Sequence, residues 1–160
     1  MIKSNLVFKL LLVSAVVFFI SCYQNLNAQQ NSDSSKVEAA NQSFYKAFAS
    51  EDIKAMEKVW SHSSYASSIH PISIDIIVGW EGVEESFVGV FSQYKNITIV
   101  PKDSKVHVEG NVAWVMDHEE FQAQMDGKTV NLRSAAINIF VKKSGKWLMI
   151  HHQATVPIKP

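Results

Sequence analysis

The residue types best suited to anion binding and proton transfer lie mainly in the C-terminal half of the chain. Arg133 is the only arginine, and the chain has 6 histidines. A guanidinium binds two oxygens of a carboxylate or phosphate at once. An imidazole can donate or accept a proton near neutral pH. These side chains predict anion recognition or acid–base chemistry, provided that the fold gathers them.

The register of one hairpin decides which of these side chains share a face. Asp126-Gly127 is a strong type I′ turn signal, because both residues tolerate positive φ, and Met125 then pairs with Lys128. Directly opposed residues lie on the same face. We expect a pocket on the face that combines an apolar half with a polar end. Its residues are Trp114, Met116, His118, Glu120, Arg133, Ile137 and Ile139.

The opposite face carries large apolar side chains beside Asp117, Glu119 and Asn138. An exposed apolar patch of this kind typically contacts a partner. We therefore predict a homodimer through this outer face of the sheet. The residues assigned to the interface are Val115, Phe121, Phe140, Trp147 and Met149.

Two registers remain open for the last strand. If Lys142 pairs with Trp147, then Ile150 and His152 face the pocket and His151 faces away. A loop one residue longer exchanges the two sets, so that His151 faces the pocket instead. Adjacent strand residues point to opposite faces, so these two histidines cannot bind one metal ion together.

The candidate site follows from these placements. We assign proton transfer to His118 and His152, with Tyr65 and Asp75 as a further donor and base. Arg133 would bind an anionic group or form an ion pair with Glu120, and the tryptophans would line the pocket or pack in the core. No metal-binding or cofactor motif is present, so neither is expected. The predicted pocket residues are Trp60, Tyr65, His70, Trp80, Trp114, Met116, Glu120, Arg133 and His151.

The sequence predicts three helices before the strands that position this site. A capping box at Ser35 to Glu38 predicts a first helix, Asp52 caps a second, and a turn at Gly79 to Gly82 precedes a third. The apolar period then changes from 3.6 to 2, which indicates consecutive strands. Their expected ranges are 97–108, 111–125, 129–142 and 146–156. The order predicts an α+β fold: three helices packed on a strongly bent, mainly antiparallel sheet with a pocket at its mouth.

The N-terminal segment is typical of an export signal. Lys3 and Lys9 precede the apolar run Leu10 to Ile20, which is shorter than the roughly 20 residues that span a bilayer. We expect a signal peptide at 1–28, a linker at 29–35, a domain at 36–156 and a tail at 157–160. Alternatively, Cys22 is lipidated, and the protein then lies at a membrane. The protein would be exported, either periplasmic or secreted.

Composition limits the partners. Among 160 residues, 15 basic side chains balance 15 acidic ones. No basic run is present, so we do not expect a nucleic acid partner. The single cysteine rules out an internal disulfide, and the length is that of one domain.

The order of these motifs resembles NTF2-like (SnoaL-like) proteins. Residues 37–60 look like the paired opening helices of that family, and Gly79-Trp80-Glu81-Gly82 resembles its turn into the third helix. Ser144-Gly145-Lys146-Trp147 followed by His151 resembles its closing strand. Where the family often ends W-x-x-x-H-x-H-x-S, Gln153 and Thr155 replace the second histidine and the serine.

The resemblance implies a cone-shaped fold with a pocket, but it leaves three functions open. Family members include ketosteroid isomerases, polyketide cyclases, dehydratases and assembly domains. The protein could bind a small hydrophobic or carboxylated molecule. It could instead be an isomerase, dehydratase or cyclase that uses a histidine, or a homodimeric assembly module without catalysis.

Overall fold

A computed structural model describes residues 29–30 and 32–157. The predicted signal peptide, Cys22 and the end of the predicted tail lie outside the described residues. The chain divides into two compact units, Met1–Asp33 and Ser34–Pro160. In the first unit, residues 29–30 and 32–33 are helical. The second unit holds the fold described below.

Three helices precede the main strands. Helix α1 covers residues 34–49 of the second unit, α2 covers Ile53–Val59 and α3 covers Trp80–Gln93. Asp52 caps α2, since its side chain accepts a hydrogen bond from the backbone N–H of Lys54 at 2.9 Å. The residues predicted as a linker before Ser35 are helical where they are described, and the predicted turn residues Trp80 to Gly82 form the first turn of α3.

Six strands form one mixed sheet. They are β1 Ser67–Ile69, β2 Ile77–Val78, β3 Lys95–Glu109, β4 Val112–Met125, β5 Lys128–Lys143 and β6 Lys146–Thr155. Their order across the sheet is β2-β1-β6-β5-β4-β3, in which only the β1–β6 pair is parallel. The four long strands confirm the predicted antiparallel series. Residues 70–76, between β1 and β2, form a loop in which Ile72, Ile74 and Ile76 are exposed.

The turns explain why the central strands pair as predicted. Asp126 and Gly127 have φ of 50° and 73°, which is the positive-φ pair that a type I′ turn requires. Met125 pairs with Lys128 and Glu120 pairs with Arg133. Both pairs were predicted from the turn alone.

The helices bury one face of the sheet. Phe44 of α1 packs edge-on against Phe87 of α3 at a centroid distance of 6.2 Å and lies 6.4 Å from Trp60. Phe140 of β5 and Met149 of β6 close the core from the sheet side. Within the described ranges, no helix combines the length and the apolar character that crossing a membrane requires.

Candidate functional site

The face of the sheet that meets the helices is the one opposite to our prediction. In β4, the buried set is Ala113, Val115, Asp117, Glu119 and Ala123, whereas Met116 is 46% exposed. The opposing pairs were correct, but the choice of face was wrong, because alternation says which residues share a face and not which face the helices cover. The inner face is the one covered by the helices, and the outer face is the other one.

Most of the predicted pocket residues therefore lie on the outer face. Arg133 is exposed there, and the Glu120 carboxylate lies 3.9 Å from the Lys102 ammonium. The His118 ring is half-exposed and lies 3.5 Å from Asp103. Trp114 and Met116 share this face, and Trp114 packs against the ring of His107 at 4.2 Å. Glu120 and Arg133 line an open depression of about 480 Å³, as the sequence predicted for this pair, but Trp114, Met116 and His118 are not part of its lining.

The residues that we assigned to a dimer interface lie on the inner face. Val115, Phe140, Trp147 and Met149 are buried in the core, and Phe121 packs against it. Their large apolar side chains are covered by the helices of the same chain. The interface prediction was wrong for the same reason as the pocket prediction, because strand alternation does not say which face the helices cover.

A β-bulge settles the two histidines of β6. Ile139 pairs with His151, but the next residue, Phe140, pairs with Met149, so Ile150 is the extra residue on β6. The predicted pairing of Lys142 with Trp147 is correct. Beyond the bulge His152 lies on the inner face. The outer-face residue His151 contacts the Ser67 hydroxyl at 2.8 Å through its Nδ1.

The remaining predicted wall residues separate into core and surface. Trp60 is buried in the core, and Trp80 stacks on His62 at 4.5 Å. Tyr65 is exposed, with the Lys143 ammonium 5.3 Å from its ring centroid. Asp75 is exposed in the loop before β2. Core packing, one of the two alternatives for the tryptophans, describes Trp60 and Trp80.

An inner cavity lies between α1, α3 and the sheet. Its volume is about 190 Å³. Of the predicted site residues, His70 and His152 line it, while its apolar walls and most of its polar groups were not predicted. The apolar lining includes Phe48, Val90, Ile99, Phe121 and Leu132, and the polar lining includes His70, Gln93, Glu119, Ser134 and His152.

Glu119 is the carboxyl group at the cavity wall. The Ser134 hydroxyl donates to its Oε2 at 2.8 Å, and the Tyr45 hydroxyl lies 3.0 Å from its Oε1. Burial, as the main cause, raises the pKa of Glu119, and the nearby Asp117 acts in the same direction. The hydrogen bonds from Ser134 and Tyr45 act in the opposite direction on this pKa. A carboxyl group in such surroundings can serve as a general acid or base.

His152 is held from behind by amide side chains. Its Nδ1 lies 2.7 Å from Asn138 Oδ1, and the Asn138 amide nitrogen donates to Asn41 Oδ1 at 2.8 Å. The Asn41 amide nitrogen in turn donates to Asp117 Oδ2 at 3.0 Å. These four residues lie on α1, β4, β5 and β6, so the network ties the first helix to the sheet.

Both cavity histidines are neutral at physiological pH. Burial, followed by the charge of His151, lowers the pKa of His152 to about 3. Burial, followed by the charge of His152, lowers the pKa of His70 to about 4. His70 also contacts the Ser86 hydroxyl at 3.1 Å through Nε2. A neutral imidazole keeps one nitrogen lone pair that can accept a proton.

The sequence did contain a signal for this network. Asn41 and Tyr45 are four residues apart and fall on the apolar stripe of α1 that includes Val37, Phe44 and Phe48. Polar groups on a buried stripe require polar partners across the core. Asp117, Glu119 and Asn138 on one sheet face supply those partners. Within the described ranges, no group of three or more His, Cys, Asp or Glu side chains is arranged to hold a metal ion.

The family of the chain follows from its sequence together with this architecture. Residues 37–159 match the SnoaL-like domain family, so the chain belongs to that family. The match covers nearly all of the predicted domain. No match was found among curated proteins.

Solved structures show the same NTF2-like cone. A proposed dehydratase of the NTF2-like family from Streptomyces avermitilis has a TM-score of 0.74 and 21% identity, covering 81% of this chain and 99% of that one. A ketosteroid isomerase-like protein from Erwinia carotovora atroseptica has a TM-score of 0.68 and 19% identity, covering 81% of this chain and 99% of that one.

A third neighbour is a proposed calcium/calmodulin-dependent protein kinase type II association domain from Thiobacillus denitrificans. Its TM-score is 0.63 at 19% identity, covering 76% of this chain and 94% of that one. At these identities the likeness establishes the fold and leaves the activity open.

Proposed function

We propose that this SnoaL-like protein binds a small, uncharged and mainly apolar molecule in its inner cavity. The observation that carries the proposal is the cavity of about 190 Å³, with apolar walls and a few hydrogen-bonding groups. An apolar cavity of about 150 Å³ accommodates benzene. A molecule with a single ring therefore matches the available space.

The charges around the cavity favour an uncharged ligand. The residues that line it include the carboxyl group of Glu119 but neither lysine nor arginine. Arg133, expected to bind a carboxylate, lies on the outer face. A buried anion without a partner is costly. The carboxylated ligand considered from the sequence therefore has no support from this cavity, whereas the hydrophobic ligand does.

Binding of toluene tests the proposal. We expect saturable chemical-shift changes in the NMR signals of Leu132 and Ile99, which line the cavity. Leu132→Trp should fill the cavity and abolish these changes. Leu148→Trp is the matched control, because Leu148 pairs with Val141 on the outer face. If toluene leaves the wild-type spectrum unchanged, or if Leu132→Trp still binds it, the cavity is not a binding site.

Acid–base catalysis of the isomerase, dehydratase or cyclase type is the second candidate. Its support is that Glu119, His70 and His152 all line the cavity and have shifted pKa values. Of the two predicted catalytic histidines, only His152 faces the cavity. Cyclopentanone is a suitable probe, because proton abstraction next to its carbonyl exchanges hydrogen for solvent deuterium. Catalysed exchange that is lost in His152→Gln, with binding retained, would support an enzyme.

Homodimerisation and export are also part of the proposal. The outer face carries Trp114, Met116, Ile137 and Ile139, and 46% of Met116 is exposed. These side chains replace the buried residues first assigned to the interface. A non-catalytic assembly module would need this face but not the cavity.

Export is supported by the sequence of residues 1–28, including Cys22 as the site of a lipid anchor in the alternative.

A further inference from the structure

The hydroxyl group of Tyr45 lies between two carboxyl groups, and its hydrogen can serve only one of them. Its oxygen is 3.1 Å from Asp117 Oδ2 and 3.0 Å from Glu119 Oε1. Burial, as the main cause, raises the pKa of Tyr45, and the charge of Asp117 acts in the same direction, so the phenol keeps its hydrogen. Two oxygen–oxygen contacts of this length each need a hydrogen. One of the carboxyl groups must therefore carry a proton.

The hydrogen bonds identify Glu119 as the protonated group. Asp117 accepts from Asn41 at 3.0 Å, and it also accepts from Ser104 and Tyr45. Such donors stabilise an ionised carboxylate. Apart from the Tyr45 contact, the hydrogen bond found at Glu119 is the one that Ser134 donates at 2.8 Å. Glu119 as a neutral acid donates to Tyr45, which in turn donates to Asp117.

The ionised Asp117 also sets the direction of the amide chain. A carboxylate only accepts, so the group of Asn41 that faces Asp117 is its NH₂. The Asn41 oxygen then faces the NH₂ of Asn138, and the Asn138 oxygen faces His152 Nδ1 at 2.7 Å. An amide oxygen only accepts, so His152 must carry its hydrogen on Nδ1. Its Nε2 is left as a lone-pair acceptor on a ring that lines the cavity.

The hydrogen bonds of His70, the other histidine that lines the cavity, fix its tautomer in the same way. The Ser86 hydroxyl donates to the carbonyl of Val83 at 2.7 Å. Its oxygen must therefore accept from His70 Nε2, 3.1 Å away. His70 carries its hydrogen on Nε2, and Nδ1 is its acceptor atom. Both cavity imidazoles are thus acceptors.

We propose that the cavity selects a neutral, ring-sized molecule with a hydroxyl group, which donates its hydrogen to His152 Nε2. Asn138 is then the positioning residue, because its oxygen holds the ring hydrogen on Nδ1 and so keeps Nε2 unprotonated. The ligand class rests on the function proposed above, whereas the protonation pattern belongs to the free protein. Three features of the cavity favour such a ligand: a neutral Glu119, two imidazoles that accept hydrogen bonds, and apolar walls. A carboxylate of the same size would face acceptors and is rejected.

Long-range proton–nitrogen correlation NMR of the free protein tests the protonation pattern without any ligand. We expect the His152 signals of a ring protonated on Nδ1, and Asn138→Ala should move the hydrogen to Nε2. Asn131→Ala is the matched control, since Asn131 is an exposed residue of β5 that bonds Gln122. A wild-type ring protonated on Nε2 would overturn the proposal. The wild-type spectrum decides this even if Asn138→Ala does not fold.

Phenol, toluene and benzoate test the ligand class by titration into wild-type protein. Phenol should bind about tenfold more tightly than toluene, because only phenol donates a hydrogen bond to His152. Benzoate should not bind. Equal affinities for phenol and toluene, or tight binding of benzoate, would overturn the selectivity while leaving cavity binding intact. If none of the three binds, the proposed function fails, and the NMR result still decides the protonation pattern.

Discussion

Glu119 and Glu120 are consecutive residues of β4, yet they lie in opposite surroundings. Glu119 is 2% exposed beneath the helices, whereas the Glu120 side chain is 54% exposed on the outer face. Glu119 accepts a hydrogen bond from Ser134, and Glu120 lies near Lys102. The two residues have the same side chain and are adjacent in the chain, so a substitution at one serves as the control for the same substitution at the other.

Glu119→Gln should become more stable relative to wild type as the pH rises. Burial raises the pKa of Glu119 above its ordinary value of 4.5, so the wild type loses stability as the pH rises from 4.5 through the higher pKa of the folded state. Glutamine has nearly the same shape as the neutral acid and cannot ionise. Urea unfolding of both proteins over this pH range measures the difference.

Glu120→Gln is the control and should shift stability by less than about 0.5 kcal/mol at any pH, since surface ion pairs contribute little. A Glu119→Gln protein that loses stability against wild type as the pH rises would contradict the prediction. Glu119 would then be an ionised group stabilised by its partners.

His70 and His152 should make the protein sensitive to acid. Their pKa values fall from 6.5 to about 4 and about 3 in the folded protein, so the unfolded state takes up protons first as the pH falls below 6.5. Stability is complete above pH 6.5 and declines towards pH 4 and pH 3. Each histidine contributes a slope of up to about 1.4 kcal/mol per pH unit.

Thermal or urea unfolding from pH 6.5 to pH 4 measures this slope. His70→Phe should reduce it, because phenylalanine fits the apolar wall and does not titrate. His107→Phe, on the exposed side of β3, is the control. An unchanged slope in His70→Phe would show that His70 protonates in the folded protein as readily as in the unfolded chain.

The sequence determined which strand residues oppose each other but not which face they occupy. Asp126-Gly127 imposed a two-residue turn, and from this the Glu120–Arg133 pair followed. Tertiary packing decides which set of side chains the helices cover, the set with Trp114 and Met116 or the set with two acidic residues. We placed the pocket on the first set because it combines apolar residues with a cluster of polar ones. The structure buries the acids because Asn41, Tyr45 and Ser134 satisfy them.

The bulge at Ile150 was also beyond the sequence. An extra residue in β6 leaves the pairing of Lys142 with Trp147 intact, yet it reverses the faces of every residue that follows. His152 therefore shares the inner face with Trp147. Our sequence analysis also placed His152 on the pocket face, but it used a register without a bulge and assigned the pocket to the outer face. The cavity itself depended on helix packing that strand alternation does not describe.

Met116→Glu should weaken the proposed homodimer. Met116 is 46% exposed on the outer face, with Ile137 as its cross-strand partner. A buried, unpaired carboxylate at an interface is strongly unfavourable, and the monomer would tolerate it at this exposed site. Sedimentation velocity at several protein concentrations should show a shift from dimer to monomer.

Gln122→Glu is the control for Met116→Glu, because it adds the same charge at an exposed site on the same strand. Its sedimentation should follow the wild type. A wild-type protein that is monomeric at every concentration would remove the homodimer from the proposal. So would a Met116→Glu protein that remains dimeric.

A double-mutant cycle on Asn41 and Asp117 should reveal strong coupling across the core. Asp117→Ala leaves the buried donors of Asn41 and Tyr45 without their acceptor, and a loss of about 3 kcal/mol or more is expected. Asn41→Ala removes one of these donors. The double variant should therefore be more stable than the sum of the two losses predicts, with a coupling energy above about 1 kcal/mol. Urea unfolding of all four proteins supplies the cycle.

The exposed pair Gln122 and Asn131 is the comparison, since its side-chain hydrogen bond of 2.9 Å has similar length but lies in water. Its coupling energy should stay below about 0.5 kcal/mol, because water replaces a broken hydrogen bond at the surface. Additive losses for Asn41 and Asp117 would mean that water or a rearranged side chain takes over the freed groups. The amide chain would then not be rigid enough to hold His152 in one tautomer, and Asn138 would lose its role as a positioning residue.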